Sequence, residues 1–71
     1  METITITTEF IRLQDLMKLA DMVSSGGEAK QLIQDGQVLV NGETCLQRGK
    51  KLRPGDTVTF KNRTYTTAYA T

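Results

Sequence analysis

Polar and apolar residues alternate strictly near the start of the chain. Thr3-Ile4-Thr5-Ile6-Thr7 has the two-residue period of a strand with one buried face, and a first strand is predicted there. From Arg12 the period lengthens: Leu13, Leu16, Met17 and Ala20 fall at i, i+3, i+4 and i+7 and form one stripe of an amphipathic helix running from about Arg12 to Ala20. Ser25-Gly26-Gly27-Glu28 then has the spacing of a capping box, in which the serine oxygen accepts from a backbone amide and the glutamate returns a bond. A second helix starts there, with Ala29, Leu32 and Ile33 on its inner face and Gly36 at its left-handed end. A connection of about four residues makes the two helices neighbours.

Past Gly36 the period shortens again. Val38 and Val40 lead into Asn41-Gly42, the dipeptide that most readily takes positive φ in a tight hairpin, with Glu43 to Leu46 as the returning strand. Pro54-Gly55-Asp56 is the next turn, followed by Thr57 to Phe60 with Val58 and Phe60 facing inward. Lys61-Asn62-Arg63 is a polar turn, and Thr64 to Tyr69 a last strand on which Tyr65 and Tyr69 share a face. The expected class is α+β: an N-terminal strand, a two-helix hairpin and a small twisted antiparallel sheet closing over one core.

Length narrows the possibilities. At 71 residues the chain is expected to form a single domain over residues 1–71, with one core and no room for a large cofactor. It has one cysteine, Cys45, and no histidine, so neither a disulfide within the chain nor a zinc site is available, and Cys45 reads as core filler. Met1 to Thr8 has no basic n-region and no unbroken apolar run, which argues against a signal peptide or membrane span and for a reducing, cytoplasmic setting.

Net charge is only +1, but its distribution is uneven. Up to Gln47 the seven carboxylates Glu2, Glu9, Asp15, Asp21, Glu28, Asp35 and Glu43 outnumber Arg12, Lys18 and Lys30. From Arg48 onward the six cations Arg48, Lys50, Lys51, Arg53, Lys61 and Arg63 face Asp56 alone. Such segregation points to a polyanion held on one face.

Two constellations could carry it. The start of the second helix offers orphan amides, the glycine pair Gly26-Gly27 that lets a ligand approach the backbone, and Lys30 on the first turn. A flexible helix entry is the competing reading, and Glu28 adds a like charge beside any phosphate. Arg48-Gly49-Lys50-Lys51-Leu52-Arg53 places four cations in six residues, the density that counterion release from RNA rewards. A solvated surface loop is the alternative there, and it is the favoured reading for Lys61 and Arg63. Few aromatics are free to stack on bases, so shape and backbone recognition of structured RNA is favoured over single-strand readout. Catalysis fails on inventory: Asp15, Asp21, Glu28 and Asp35 sit at polar helix positions with nothing to tune them, so no catalytic residue, metal or cofactor is assigned.

In order, Arg12 to Leu19, Ser25-Gly26-Gly27-Glu28-Ala29-Lys30-Gln31-Leu32-Ile33, Gly36-Gln37-Val38-Leu39-Val40-Asn41-Gly42-Glu43 and Pro54-Gly55-Asp56-Thr57-Val58 resemble the S4-type RNA-binding domain. The similarity is greatest to a short, single-domain bacterial subgroup with Ser-Gly-Gly-Glu-Ala-Lys at the second helix. The resemblance implies an α-L motif, in which a helix pair and adjoining hairpin form one RNA-contacting face, as in ribosomal protein S4, pseudouridine synthases and tyrosyl-tRNA synthetases. Here it would stand without an attached enzyme, as a monomer whose partner is structured RNA, ribosomal or transfer RNA being candidates, with no small-molecule substrate. It implies Lys30, the Asn41-Gly42 turn, Arg48, Lys50 and Lys51 as RNA contacts, and Arg12 as a further candidate. One departure stands out: many members carry Ser-Arg-x-x-Ala where this chain has Ser25-Gly26-Gly27-Glu28-Ala29, so a basic contact is missing.

Two other readings compete. Val40-Asn41-Gly42-Glu43 and Gly55-Asp56-Thr57-Val58 also occur in β-grasp sulfur carriers, but those act through a terminal Gly-Gly, and Tyr69-Ala70-Thr71 cannot be activated that way. A protein-binding adaptor using the sheet edge is the third. The RNA reading requires the late cations to lie beside the opening turn of the second helix in one patch.

Overall fold

A computed structural model of the chain describes Glu2 to Ala70; Met1 and Thr71, which entered the readings of the two ends, lie outside the described residues. The elements in chain order are β1 (Glu2–Ile6), β2 (Ile11–Arg12), α1 (Leu13–Leu19), α2 (Gly26–Gln34), β3 (Leu39–Val40), β4 (Glu43–Thr44), β5 (Lys51–Leu52), β6 (Thr57–Phe60) and β7 (Arg63–Tyr69). Five strands form one sheet in the order β1-β7-β6-β3-β4, and β2 pairs with β5 in a separate two-stranded ladder. The class is α+β, as the periodicities imply.

The helices begin and end where local chemistry dictates. Ser25 Oγ accepts from the Glu28 amide at 3.3 Å, and Glu28 Oε1 accepts from the Ser24 amide at 2.8 Å, which closes the box one residue outside its usual partner. Gly36, at φ 76°, ends α2 with its amide on the Ile33 carbonyl and the Gln37 amide on that of Leu32, a Schellman motif. α1 ends the same way without glycine: Asp21 takes φ 60°, and the Asp21 and Met22 amides return to the Lys18 and Met17 carbonyls. An aspartate tolerates this left-handed position better than most side chains, and the connection between the helices spans residues 20–25.

The inner stripes meet as expected. Leu13, Leu16 and Met17 of α1 and Ala29 and Ile33 of α2 are fully buried with Val38, Leu52 and Val58, and Phe60 closes the cluster. Each fully buried aliphatic chain contributes about 1.5–3 kcal/mol by leaving water, so the core rests on these few positions. Cys45 is half-buried and packs on the rim of this cluster.

The sheet is antiparallel across β4, β3, β6 and β7, but β1 lies parallel to β7, with Glu2 opposite Tyr65 and Ile6 opposite Tyr69. The expected antiparallel sheet is thus joined at one edge by the N-terminal strand, in parallel. Parallel partners need a crossover rather than a hairpin, and here the crossover is the rest of the chain, which local periodicity does not reveal. The strand returning from Asn41-Gly42 is also shorter than Glu43 to Leu46. After Thr44 only the Cys45 amide still reaches Val38, at 3.0 Å, before the chain turns outward.

Candidate nucleic-acid interface

The basic run from Arg48 is fixed by backbone bonds. The residue before α1, Arg12, supplies no side-chain cap, so the first amides of that helix need other acceptors. They find them in the basic run: the Leu13 amide donates to the Lys50 carbonyl at 2.9 Å and the Gln14 amide to the Arg48 carbonyl at 3.0 Å. Leu52, fully buried, anchors the end of the run in the core, and β2–β5 pairing sets Ile11 opposite Leu52 and Arg12 opposite Lys51. The run is therefore anchored on the opening turn of α1, whereas the sequence reading had looked to that of α2.

With its carbonyls occupied by α1, the run turns its cations outward. Arg12, Arg48, Lys50 and Lys51 are all exposed. Among the described residues the ion pairs are Lys18 with Asp15 at 3.4 Å and Arg63 with Glu2 at 2.9 Å, so none of those four cations has a carboxylate partner. Directly opposed residues of an antiparallel ladder present their side chains on the same face, and like charges there are destabilising. Arg12 across from Lys51 is such a pair. Lys51 Nζ is steadied 4.8 Å from the centre of the Phe10 ring, a contact that holds the ammonium without neutralising it.

On α2, Lys30 is exposed and carries no ion pair among the described residues. Gly26 and Gly27 occupy its first turn. A Cβ added at Gly26 would meet nothing within 4 Å, and one at Gly27 only Ser25 Oγ at 3.9 Å. Packing therefore does not require glycine at either position.

Asn41 and Gly42 form the tight turn between β3 and β4, at φ 51° and 85°. The Asn41 carboxamide is committed to the fold. Its Oδ1 accepts from the Thr57 amide at 2.9 Å, and its Nδ2 donates to Asp56 Oδ1 at 3.2 Å, while Asp56 Oδ2 accepts from the Arg53 amide at 2.8 Å. This chain of bonds ties the β3–β4 turn to the turn that follows the basic run. Sequence reasoning named Asn41 as a contact and missed its positioning role; the recurrence of Asp56 fifteen residues later carried no local signal.

Lys61 and Arg63 lie elsewhere. β6 pairs antiparallel with β3, so its Thr57 end adjoins Asn41 and its Phe60 end leads away to the 61–62 turn. Arg63 is paired with Glu2, and Lys61 Nζ rests 5.3 Å from the Phe60 ring centre. Among the described residues, no group of three or more Cys, Asp or Glu side chains is arranged to hold a metal ion, and no helix is long and apolar enough to cross a membrane.

A helix hairpin against a small mixed sheet, with a loop docked on the first helix, defines a small α+β module of the α-L type. The sequence model of the S4 domain matches residues 4–68, and the chain belongs to the S4 domain family. It is 49% identical over 55 residues to the probable ribosome maturation protein RlbA of Bacillus subtilis (strain 168), a match covering 78% of each chain. It superposes with a TM-score of 0.72 and 32% identity on YbcJ from E. coli, whose solution structure reveals an alfaL motif involved in RNA-binding, covering 96% of this chain and 87% of that one.

Proposed function

We propose that this S4-family chain is a non-enzymatic RNA-binding module that grips structured RNA by its phosphate backbone. The face is built from Arg12, Arg48, Lys50 and Lys51, with Asn41 and Gly42 holding the neighbouring hairpin in place; Gly26, Gly27 and Lys30 of α2 are a second, separate candidate contact. The observation that carries this reading is the opposed, unneutralised pair Arg12 and Lys51. A fold tolerates such repulsion where a polyanion relieves it, and each phosphate contact releases counterions. Family membership and the RNA-binding motif of YbcJ support RNA as the polyanion, and the likeness to a ribosome maturation protein supports ribosomal RNA ahead of transfer RNA.

Filter binding of the protein to a ribosomal RNA fragment and to a transfer RNA, across a salt series, tests the reading. The logarithm of affinity should fall linearly with the logarithm of salt concentration, by roughly 0.7–0.9 of a log unit per tenfold rise in salt for each phosphate contacted. Affinity independent of salt would reject a phosphate-gripping face. Lys30→Glu should weaken binding several-fold with an unchanged melting temperature; unaltered affinity would remove α2 as a contact.

The glycines give a prediction of opposite signs. Gly26→Ala with Gly27→Ala should stabilise the domain by about 0.5–1 kcal/mol, because alanine loses less backbone entropy in a helix. RNA affinity should drop at the same time if the backbone is approached there. Thermal melting and filter binding on the same variant separate the two effects, and a stabilised variant with full affinity would leave the glycines no part in binding.

A further inference from the structure

Beside the basic run, and sharing Lys50 with it, lies an open groove of about 390 Å³. Val40, Glu43, Cys45, Leu46, Gln47 and Lys50 line it. Its position follows from the early end of β4: the chain leaves the ladder after Cys45, crosses as Leu46 and Gln47, and returns through the turn closed by the Lys50 amide on the Gln47 carbonyl at 3.2 Å. Leu46 is 62% exposed, the most exposed large apolar side chain among the described residues. Glu43 is a carboxylate within a groove whose other charged wall is Lys50, on the side of the molecule where a phosphate backbone would otherwise make a carboxylate unfavourable.

We propose that this groove seats one unstacked nucleotide of the bound RNA, an inference that rests on the RNA reading above. Lys50 takes the phosphate, Leu46 provides an apolar ledge for the base, and Glu43 accepts from N–H groups on the base edge. The volume sits near the small end of ligand sites, about 300–1,000 Å³, and a single base needs no more. A carboxylate accepts and cannot donate, so it selects a base with adjacent donors. Guanine, with N1–H and the N2 amino group side by side, satisfies both carboxylate oxygens, whereas uracil flanks its single N–H with two carbonyls that would face Glu43. The groove thus adds base preference to a surface whose other contacts are to the backbone, the division by which phosphates position and bases specify.

Cys45 gives the groove its own reporter, because it is the only thiol in the chain and lines the wall, with Sγ 3.6 Å from the Gln47 carbonyl oxygen. The test uses three RNA hairpins that differ only in carrying a bulged guanosine, a bulged uridine or no bulge. The wild-type protein should bind the guanosine hairpin roughly tenfold more tightly than the other two, within the discrimination a bidentate base contact supplies. That hairpin alone should slow alkylation of Cys45 by iodoacetamide. Glu43→Gln should erase the guanosine preference, and Leu46→Ala should lower affinity for the guanosine hairpin while leaving the other two and the melting temperature unchanged. Equal affinity for all three hairpins, with alkylation unaffected and salt dependence intact, would overturn the groove and leave phosphate binding standing. Absence of salt-dependent binding to any hairpin would overturn both.

Discussion

Replacing Lys50 and Lys51 together by alanine is expected to weaken binding to structured RNA by about ten- to a hundredfold near 0.1 M salt and to flatten the salt dependence by nearly two log units. Both side chains are exposed, and neither pairs with a carboxylate among the described residues, so little folded-state energy depends on their charge. The bonds that seat the run use the Arg48 and Lys50 carbonyls, which alanine keeps. The substitution also removes the repulsion between Arg12 and Lys51, worth a few tenths of a kcal/mol at such a surface pair, while losing the cation–π contact to Phe10. The melting temperature should therefore hardly move while affinity falls. Filter binding at four or more salt concentrations checks both numbers, and an unchanged slope would mean that these lysines touch no phosphate.

Asn41→Ala should act the other way, through stability. The variant leaves the Thr57 amide and Asp56 Oδ1 without their partners and forces alanine to φ 51°. Lost bonds at about 1 kcal/mol each and roughly 1–2 kcal/mol of left-handed strain give a total of about 3 kcal/mol. A domain of this size has only about 4–10 kcal/mol of stability in all. Asn41→Gly, which keeps the turn but not the side-chain bonds, should lose about half as much. Chemical denaturation of both variants separates strain from hydrogen bonding, and if Asn41→Ala melted like the wild type while binding RNA poorly, Asn41 would be a contact rather than a brace.

Much of the fold was legible because its signals are local. The capping box at Ser25 to Glu28, the glycine stop at Gly36 and the Asn41-Gly42 turn each act over four or five residues, and each forms as the sequence implies. Elements set by long-range pairing were not. Nothing near Glu2–Ile6 encodes a parallel partner at the far end of the chain, and a ladder as short as Ile11–Arg12 with Lys51–Leu52 has no periodicity to read. Asp21 ends α1 in a conformation usually marked by glycine, so that helix had no visible stop. The cations were legible as a cluster in sequence. Their support was not, since it consists of two carbonyls bonding to amides more than thirty residues away. Cys45 was read as core and instead sits half-buried at the core's rim, because β4 ends one residue before it.

On the proposed reading, RNA contacts the end of the molecule where the basic run meets the start of α1. Titrating ¹⁵N-labelled protein with a ribosomal RNA hairpin and following the amide resonances tests it most directly. The largest changes are expected at Arg12 to Gln14 and Arg48 to Lys51, with further changes at Gly26 to Lys30 and with Lys61 to Arg63 nearly still. Changes concentrated at Lys61 to Arg63 and Glu2, with the basic run unmoved, would contradict it.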